Sequence, residues 1–231
     1  EVRQFDELHI AGEWLVLDLI QDHRPYSRAC ICRAERQQTL GRKLDFSHGV
    51  GVSSETDAIG GRSEGKAVGD YAFHMVVTDF NDQTREEIKT MVEKFGITSF
   101  KTFMAYKGAL MVDDRQIIGL FNEVEKHGGI VTTHAENGDM VDTLVSENRR
   151  KGNTAPKYHP LSRPPIVEAE ATGRFADLAW EGKHPLYIVH MTCEDALNRV
   201  RDVSKRNQKV HVETCVQYLL LDDTCYEEPD F

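Results

Sequence analysis

The chain lacks the features that would place it in several functional classes. None of its 231 residues form an apolar run approaching the roughly 20 needed to span a bilayer. No signal-peptide pattern opens it, so no membrane association is expected. Basic residues are few: 28 Lys and Arg against 38 Asp and Glu leave a net charge of −10. A nucleic-acid binder needs a basic face for phosphates, so that class is disfavoured. Cysteine is sparse and unpaired. The five residues Cys30, Cys32, Cys193, Cys215 and Cys225 are odd in number and show no Cys-x-x-Cys spacing. A reduced, cytoplasmic setting fits them better than a disulfide framework. The sequence starts with Glu1 rather than Met, which suggests a beginning partway through something longer.

What is present is ordinary for a globular protein, at 40% hydrophobic and 29% charged residues, with length enough to bury a sizeable core. From residue 65 to 231 the pattern is regular. Tyr71–Val77 is rich in aromatic and branched residues and reads as a strand. Asn81 and Asp82 offer caps to a helix whose Ile88, Met91, Val92 and Phe95 share one face, and Gly96 stops it. A strand to about Met104 follows. Next comes a helix opened by Asp113 and Asp114 and closed by Gly128-Gly129, then a strand over 129–134 and a polar helix from Gly138. Residues 151–164 carry Gly152, Pro156, Pro160 and Pro164 and read as loop. Pro165 suits a first helical turn, where its missing N–H costs nothing. Strands over 186–190 and 209–213 flank a helix carrying Ala196, Leu197, Val200 and Val203. Alternating strands and helices predict parallel pairing, hence an α/β fold built as a partial (β/α)8 barrel.

Residues 1–64 are irregular. Leu15–Ile20 suits a strand, six Arg or Lys and one acid fall between His23 and Lys43, and residues 47–65 are dense in Ser and Gly. The basic run reads as a solvated face. The division expected is therefore an N-terminal segment, with possible remnants of a β-sandwich and first barrel strands, followed by the strand–helix units.

Three residues sit where barrel chemistry is done. Lys101, His134 and His190 each close a short apolar run and precede a polar turn, and in such barrels the C-terminal strand ends share the functional face. A lone strand histidine is more commonly a packed core residue than a ligand, and His74 and His211 read that way. His127, His159 and His184 read as loop or helix-end residues. His134 and His190 differ because they occupy equivalent places in successive units, and imidazole suits zinc and related ions. A lysine on an apolar strand loses proton affinity through desolvation. It can then serve as a Schiff base, as a proton carrier, or as a carbamate formed with carbon dioxide. The bland alternative is a snorkelling side chain, for which Lys107 is the better candidate.

Longer strings carry a resemblance. Asp70–His74, Thr98–Gly108, His134–Asp139, Ser162–Pro165 and Glu213–Tyr218 resemble the hydantoinase/dihydropyrimidinase branch of the cyclic amidohydrolases over roughly residues 65–231. The resemblance implies a distorted (β/α)8 barrel and a two-metal site, usually zinc. It implies that Lys101 is the carbamylated bridge, that His134 and His190 bind one ion, and that Tyr106 holds the substrate carbonyl. The implied partner is a small cyclic ureide, opened to an N-carbamoyl amino acid, and the implied assembly is a homo-oligomer, commonly a tetramer. Two departures stand out. In place of the family's first His-x-His pair the chain has His23-Arg24-Pro25, so His23 is the remaining candidate ligand there and Pro25 cannot coordinate. The family's last ligand, an aspartate that also shuttles protons, falls beyond Phe231. Impaired activity is expected on both grounds. Two other readings stay open: a non-catalytic scaffold of the collapsin-response-mediator type, and an inactive fragment.

Overall fold

The computed structural model describes residues 14–17, 30–33 and 72–227. Two short strands, β1 (Trp14–Leu17) and β2 (Cys30–Arg33), pair antiparallel. The first overlaps the strand expected at Leu15–Ile20 only over Leu15–Leu17, and the second has no clear sequence signal. His23 lies outside the described residues.

The main body is a five-stranded sheet of β3 (Met75–Val76), β4 (Ser99–Phe103), β5 (Ile130–His134), β6 (Leu186–Ile188) and β7 (Val210–Val212). All four pairings are parallel, and the spatial order equals the chain order. A doubly wound sheet would reverse direction at a switch point. An order that never reverses is that of a barrel, here an arc of a (β/α)8 barrel. Each strand is shorter than its apolar run. The stretch expected over Tyr71–Val77 pairs only at Met75–Val76, and the last one pairs only over Val210–Val212.

Five helices fill the crossovers: α1 (Asp82–Phe95), α2 (Asp114–Lys126), α3 (Gly138–Arg150), α4 (Pro165–Trp180) and α5 (Glu194–Ser204). Their ends follow local chemistry. The Asn81 side chain accepts from Thr84 N at 3.0 Å. Asp113 and Gln116 form a reciprocal capping box, and Asn137 accepts from Met140 N. Gly96 ends α1 in the left-handed region at φ 67°, open to glycine without penalty. Residues 151–164 are not plain loop: they hold two 3-10 turns, Pro156–Tyr158 and Pro160–Ser162.

Register sorts the sheet into two faces. Phe100, Val131 and Leu186 align in one row, and Thr102, Thr133 and Ile188 in the next. These six are buried against the helices. Phe100, Val131, Leu186 and Ile188 form one core with Ile88 and Met91 of α1, Ile117, Leu120 and Phe121 of α2, and Phe175 of α4, with the Phe121 and Phe175 rings 5.0 Å apart. Burying each large side chain there contributes about 1.5–3 kcal/mol. The opposite face carries the polar row Lys101, Thr132, Tyr187 and His211. His211 is exposed there, with its ring stacked on Tyr187 at 6.1 Å, and is not the packed core residue its strand position predicts. Among the described residues no helix is long and apolar enough to cross a membrane.

Candidate active site

The C-terminal edge of the sheet gathers the expected residues. His134 is the last residue of β5, and His190 lies two positions past β6. Lys101 is the middle residue of β4 rather than its end. His134 Nδ1 and His190 Nε2 face each other at 3.0 Å, although 56 positions separate them in sequence. The Lys101 ammonium stands over the Phe103 ring at 4.2 Å, and that ring is 5.8 Å from the His134 ring. Tyr106 closes the group, with its ring centroid 5.1 Å from that of His134.

Backbone conformation singles out two of these residues. Tyr106 and His190 both have positive φ, at 66° and 43°, a region that costs a non-glycine residue roughly 1–3 kcal/mol. The Tyr106 carbonyl is locked by accepting from the N–H groups of Ala109, Leu110 and Met111. The turn thus holds its phenol beside the imidazole pair. Lys107, next along, is exposed and pairs with Asp139, in line with its reading as a solvent-reaching lysine.

Two carboxylates, Glu136 and Glu213, touch the pair, and a third, Glu168, holds the link that follows His190. Glu136 Oε2 accepts from His134 Nε2 at 2.6 Å, while its Oε1 meets Arg163 Nε at 3.1 Å. Burial pushes the Glu136 carboxyl up, but the His134 ring and the Arg163 guanidinium outweigh it and hold it below the usual carboxylate range. Glu168, on the first turn of α4, accepts from Thr192 N, Thr192 Oγ1 and Cys193 N. Burial raises its pKa, partly offset by those bonds. Glu213 accepts from Tyr187 Oη at 2.6 Å and from His190 N at 3.3 Å. The group with sharply reduced proton affinity is His190. Desolvation depresses it first, and the charges of His134 and Lys101 add to that.

Sequence reasoning missed the roles of Glu168 and Glu213 and gave none to Arg163. A signal existed for Glu168, an acid inside the apolar stretch Ile166-Val167-Glu168-Ala169, since such an acid is seldom buried without partners.

Donor chemistry fits a divalent ion. Two nitrogens each 2.0–2.1 Å from a tetrahedral zinc stand roughly 3.3 Å apart, close to the 3.0 Å between His134 and His190. Without a cation between them, one ring must donate a proton to the other. Among the described residues no group of three or more His, Cys, Asp or Glu is placed to hold an ion by itself.

No protein-family model matches the chain. Curated relatives do. A D-hydantoinase of Geobacillus stearothermophilus is 41% identical over 170 residues, covering 74% of this chain and 36% of that protein. A dihydropyrimidinase of Rattus norvegicus is 39% identical over 157 residues, covering 68% and 30%. Among solved structures, dihydropyrimidinase from Brevibacillus agri NCHU1002 superposes with a TM-score of 0.75 at 43% identity, covering 79% of this chain and 40% of that one. The chain thus spans about a third of the length of the curated relatives it matches. Over those matched residues it belongs to the hydantoinase/dihydropyrimidinase family of cyclic amidohydrolases.

Proposed function

We propose that this chain carries part of the active site of a metal-dependent hydrolase that opens a cyclic ureide, a hydantoin or a dihydropyrimidine, to an N-carbamoyl amino acid. The observation that carries this reading is the His134–His190 pair, 3.0 Å apart at the C-terminal edge of a parallel sheet with Tyr106 beside it. The relatives' names as D-hydantoinase and dihydropyrimidinase support the substrate class. His134 Nδ1 and His190 Nε2 would hold one ion, zinc in this reading, with Lys101 as third ligand once its amine has added carbon dioxide to give a carbamate. A bound divalent cation supplies Lewis acidity and lowers the pKa of its water. Tyr106 donates its phenolic hydrogen bond to the ureide carbonyl oxygen, a contact that strengthens as negative charge grows there. Phe103 and the His134 ring give the amide an apolar wall.

Glu136 and Glu213, the carboxylates beside the pair, are committed to His134 and Arg163, and to Tyr187 and the His190 amide. Neither carboxylate beside the pair is therefore available for general acid–base help, whose loss typically costs about 10²–10⁴ in rate. Slow turnover by this chain is part of the proposal. So are a reduced cytoplasmic setting, for which the odd number of cysteines without Cys-x-x-Cys spacing speaks, and self-association, for which the exposed Leu219 and Leu220 speak.

A ring-opening assay on dihydrouracil and hydantoin, after loading the chain with zinc and bicarbonate, tests the reading. Slow, zinc-dependent opening of one ring, lost in His134→Ala and His190→Ala, is the expected result. A zinc-loaded chain that opens neither ring contradicts it.

A further inference from the structure

We propose that Glu136 and Arg163 are positioning residues for the imidazole pair: Glu136 accepts a hydrogen bond from the Nε2–H of His134, fixing the tautomer whose Nδ1 lone pair points at His190, and Arg163 holds Glu136 in place. The inference rests on the reading of His134 as a metal ligand.

The geometry is specific. Each oxygen of Glu136 has its own partner, Oε2 with His134 Nε2 at 2.6 Å and Oε1 with Arg163 Nε at 3.1 Å. All three residues are buried, with 5% of His134 and 9% each of Glu136 and Arg163 exposed. A buried Arg–Glu pair would satisfy its charges without a third group. Here the carboxylate also reaches the ring nitrogen on the side away from His190.

Two anchored segments supply the arm. Glu136 lies in the link between β5 and α3, which is tied to α4 by Asn137 N donating to Val167 O at 3.0 Å and Asn137 Nδ2 donating to Glu170 Oε2 at 2.6 Å. Arg163 follows the 3-10 turn Pro160–Ser162, and its Nη1 also meets His159 Nδ1 at 3.3 Å. A neutral imidazole can carry its proton on either nitrogen, and its hydrogen-bond partners select which. In this buried place an Nε2–H without an acceptor would be costly, so loss of Glu136 would move the proton to Nδ1 and blunt the face turned to His190. Such outer partners of ligating histidines typically matter about 10–100-fold in metal affinity.

Two readouts test this on the full chain with Zn²⁺ alone: affinity by competition with a chromogenic chelator, and the tautomer of His134 in the metal-free protein by ¹H–¹⁵N imidazole spectra. Glu136→Ala is expected to weaken zinc about 10–100-fold and to move His134 away from the Nε2–H form. Glu136→Gln, which can still accept from Nε2–H, should keep the tautomer and most of the affinity. Arg163→Ala should act in the same direction as Glu136→Ala but less, and it carries the test if that variant fails to fold. Unchanged affinity and unchanged tautomer in the folded variants overturn the proposal. Zinc uptake absent from the unaltered chain overturns the metal reading instead. The tautomer shift then still sustains the positioning role, and its absence removes that too.

Discussion

Glu168 reaches from the first turn of α4 to Thr192, accepting from its backbone N–H at 2.9 Å and from its hydroxyl at 2.8 Å. The same carboxylate accepts from Cys193 N at 3.1 Å. Cys193 is the N-cap of α5, yet its own side chain caps nothing. A carboxylate of the neighbouring helix thus holds the backbone N–H groups just ahead of the first turn of α5, and it pins the link from His190 to that helix. Glu168→Ala, which leaves buried donors orphaned, is predicted to cost roughly 2–4 kcal/mol in chemical denaturation. Glu168→Gln should lose less. A cost below about 0.5 kcal/mol for the alanine variant would show that this tie is not needed.

Gly138 illustrates how closely α3 approaches the turn that presents Tyr106. A Cβ there would lie 3.0 Å from the Met104 carbonyl oxygen, 3.1 Å from Ala105 Cα and 2.8 Å from Met111 Sδ. Two of these are backbone atoms that cannot swing aside. Gly138→Ala is predicted to destabilise by about 1–3 kcal/mol through overpacking, read as a lowered thermal midpoint. An unchanged midpoint would mean that the turn yields freely.

The thiols should differ sharply in reactivity. Burial first, and then the charge and hydrogen bonding of Glu168, push Cys193 up to about 12. At pH 8 almost no thiolate is present to attack. Iodoacetamide followed by mass spectrometry is expected to label the part-exposed Cys215 and Cys225 of the native chain and to leave Cys193 unmodified. Labelling of Cys193 at the rate of Cys215 would contradict its burial.

Glu123 sets a pH dependence. Burial raises its carboxyl, but the Lys126 ammonium, the His127 ring and the Arg85 guanidinium outweigh this and hold it below the ordinary value. Its folded pKa lies below the unfolded one. The stability it contributes is therefore present above the unfolded pKa of about 4.3 and is lost as pH falls through the folded value. Because its partners are largely exposed, the effect stays below about 1 kcal/mol. Thermal midpoints measured from about pH 6 to pH 3 should fall less steeply in Glu123→Gln than in the unaltered chain. An equal slope would show that Glu123 adds nothing.

Much of the fold was legible because its signals are local. The caps Asn81 and Asp113, the stop at Gly96 and the apolar faces of α1 and α2 each depend on residues within one or two turns. The site was legible in part. His134 and His190 could be singled out by their equivalent places after successive strands, and Tyr106 through the resemblance of its string. What the sequence hid is set by partners far along the chain. His211 sits on a strand but on the face the helices leave uncovered. Glu168 gains its role only when α4 packs beside the link at residues 191–193, and Arg163 only when its loop folds onto Glu136.

The central claim is that His134, His190 and Lys101 meet on one cation. Crystals grown with zinc and bicarbonate, with anomalous data collected across the zinc absorption edge, test it most directly. The predicted result is a peak about 2.0–2.1 Å from His134 Nδ1 and His190 Nε2, with density for a carbamate extending from Lys101 Nζ toward it. Crystals that hold zinc elsewhere while the two rings stay hydrogen-bonded to each other would contradict it.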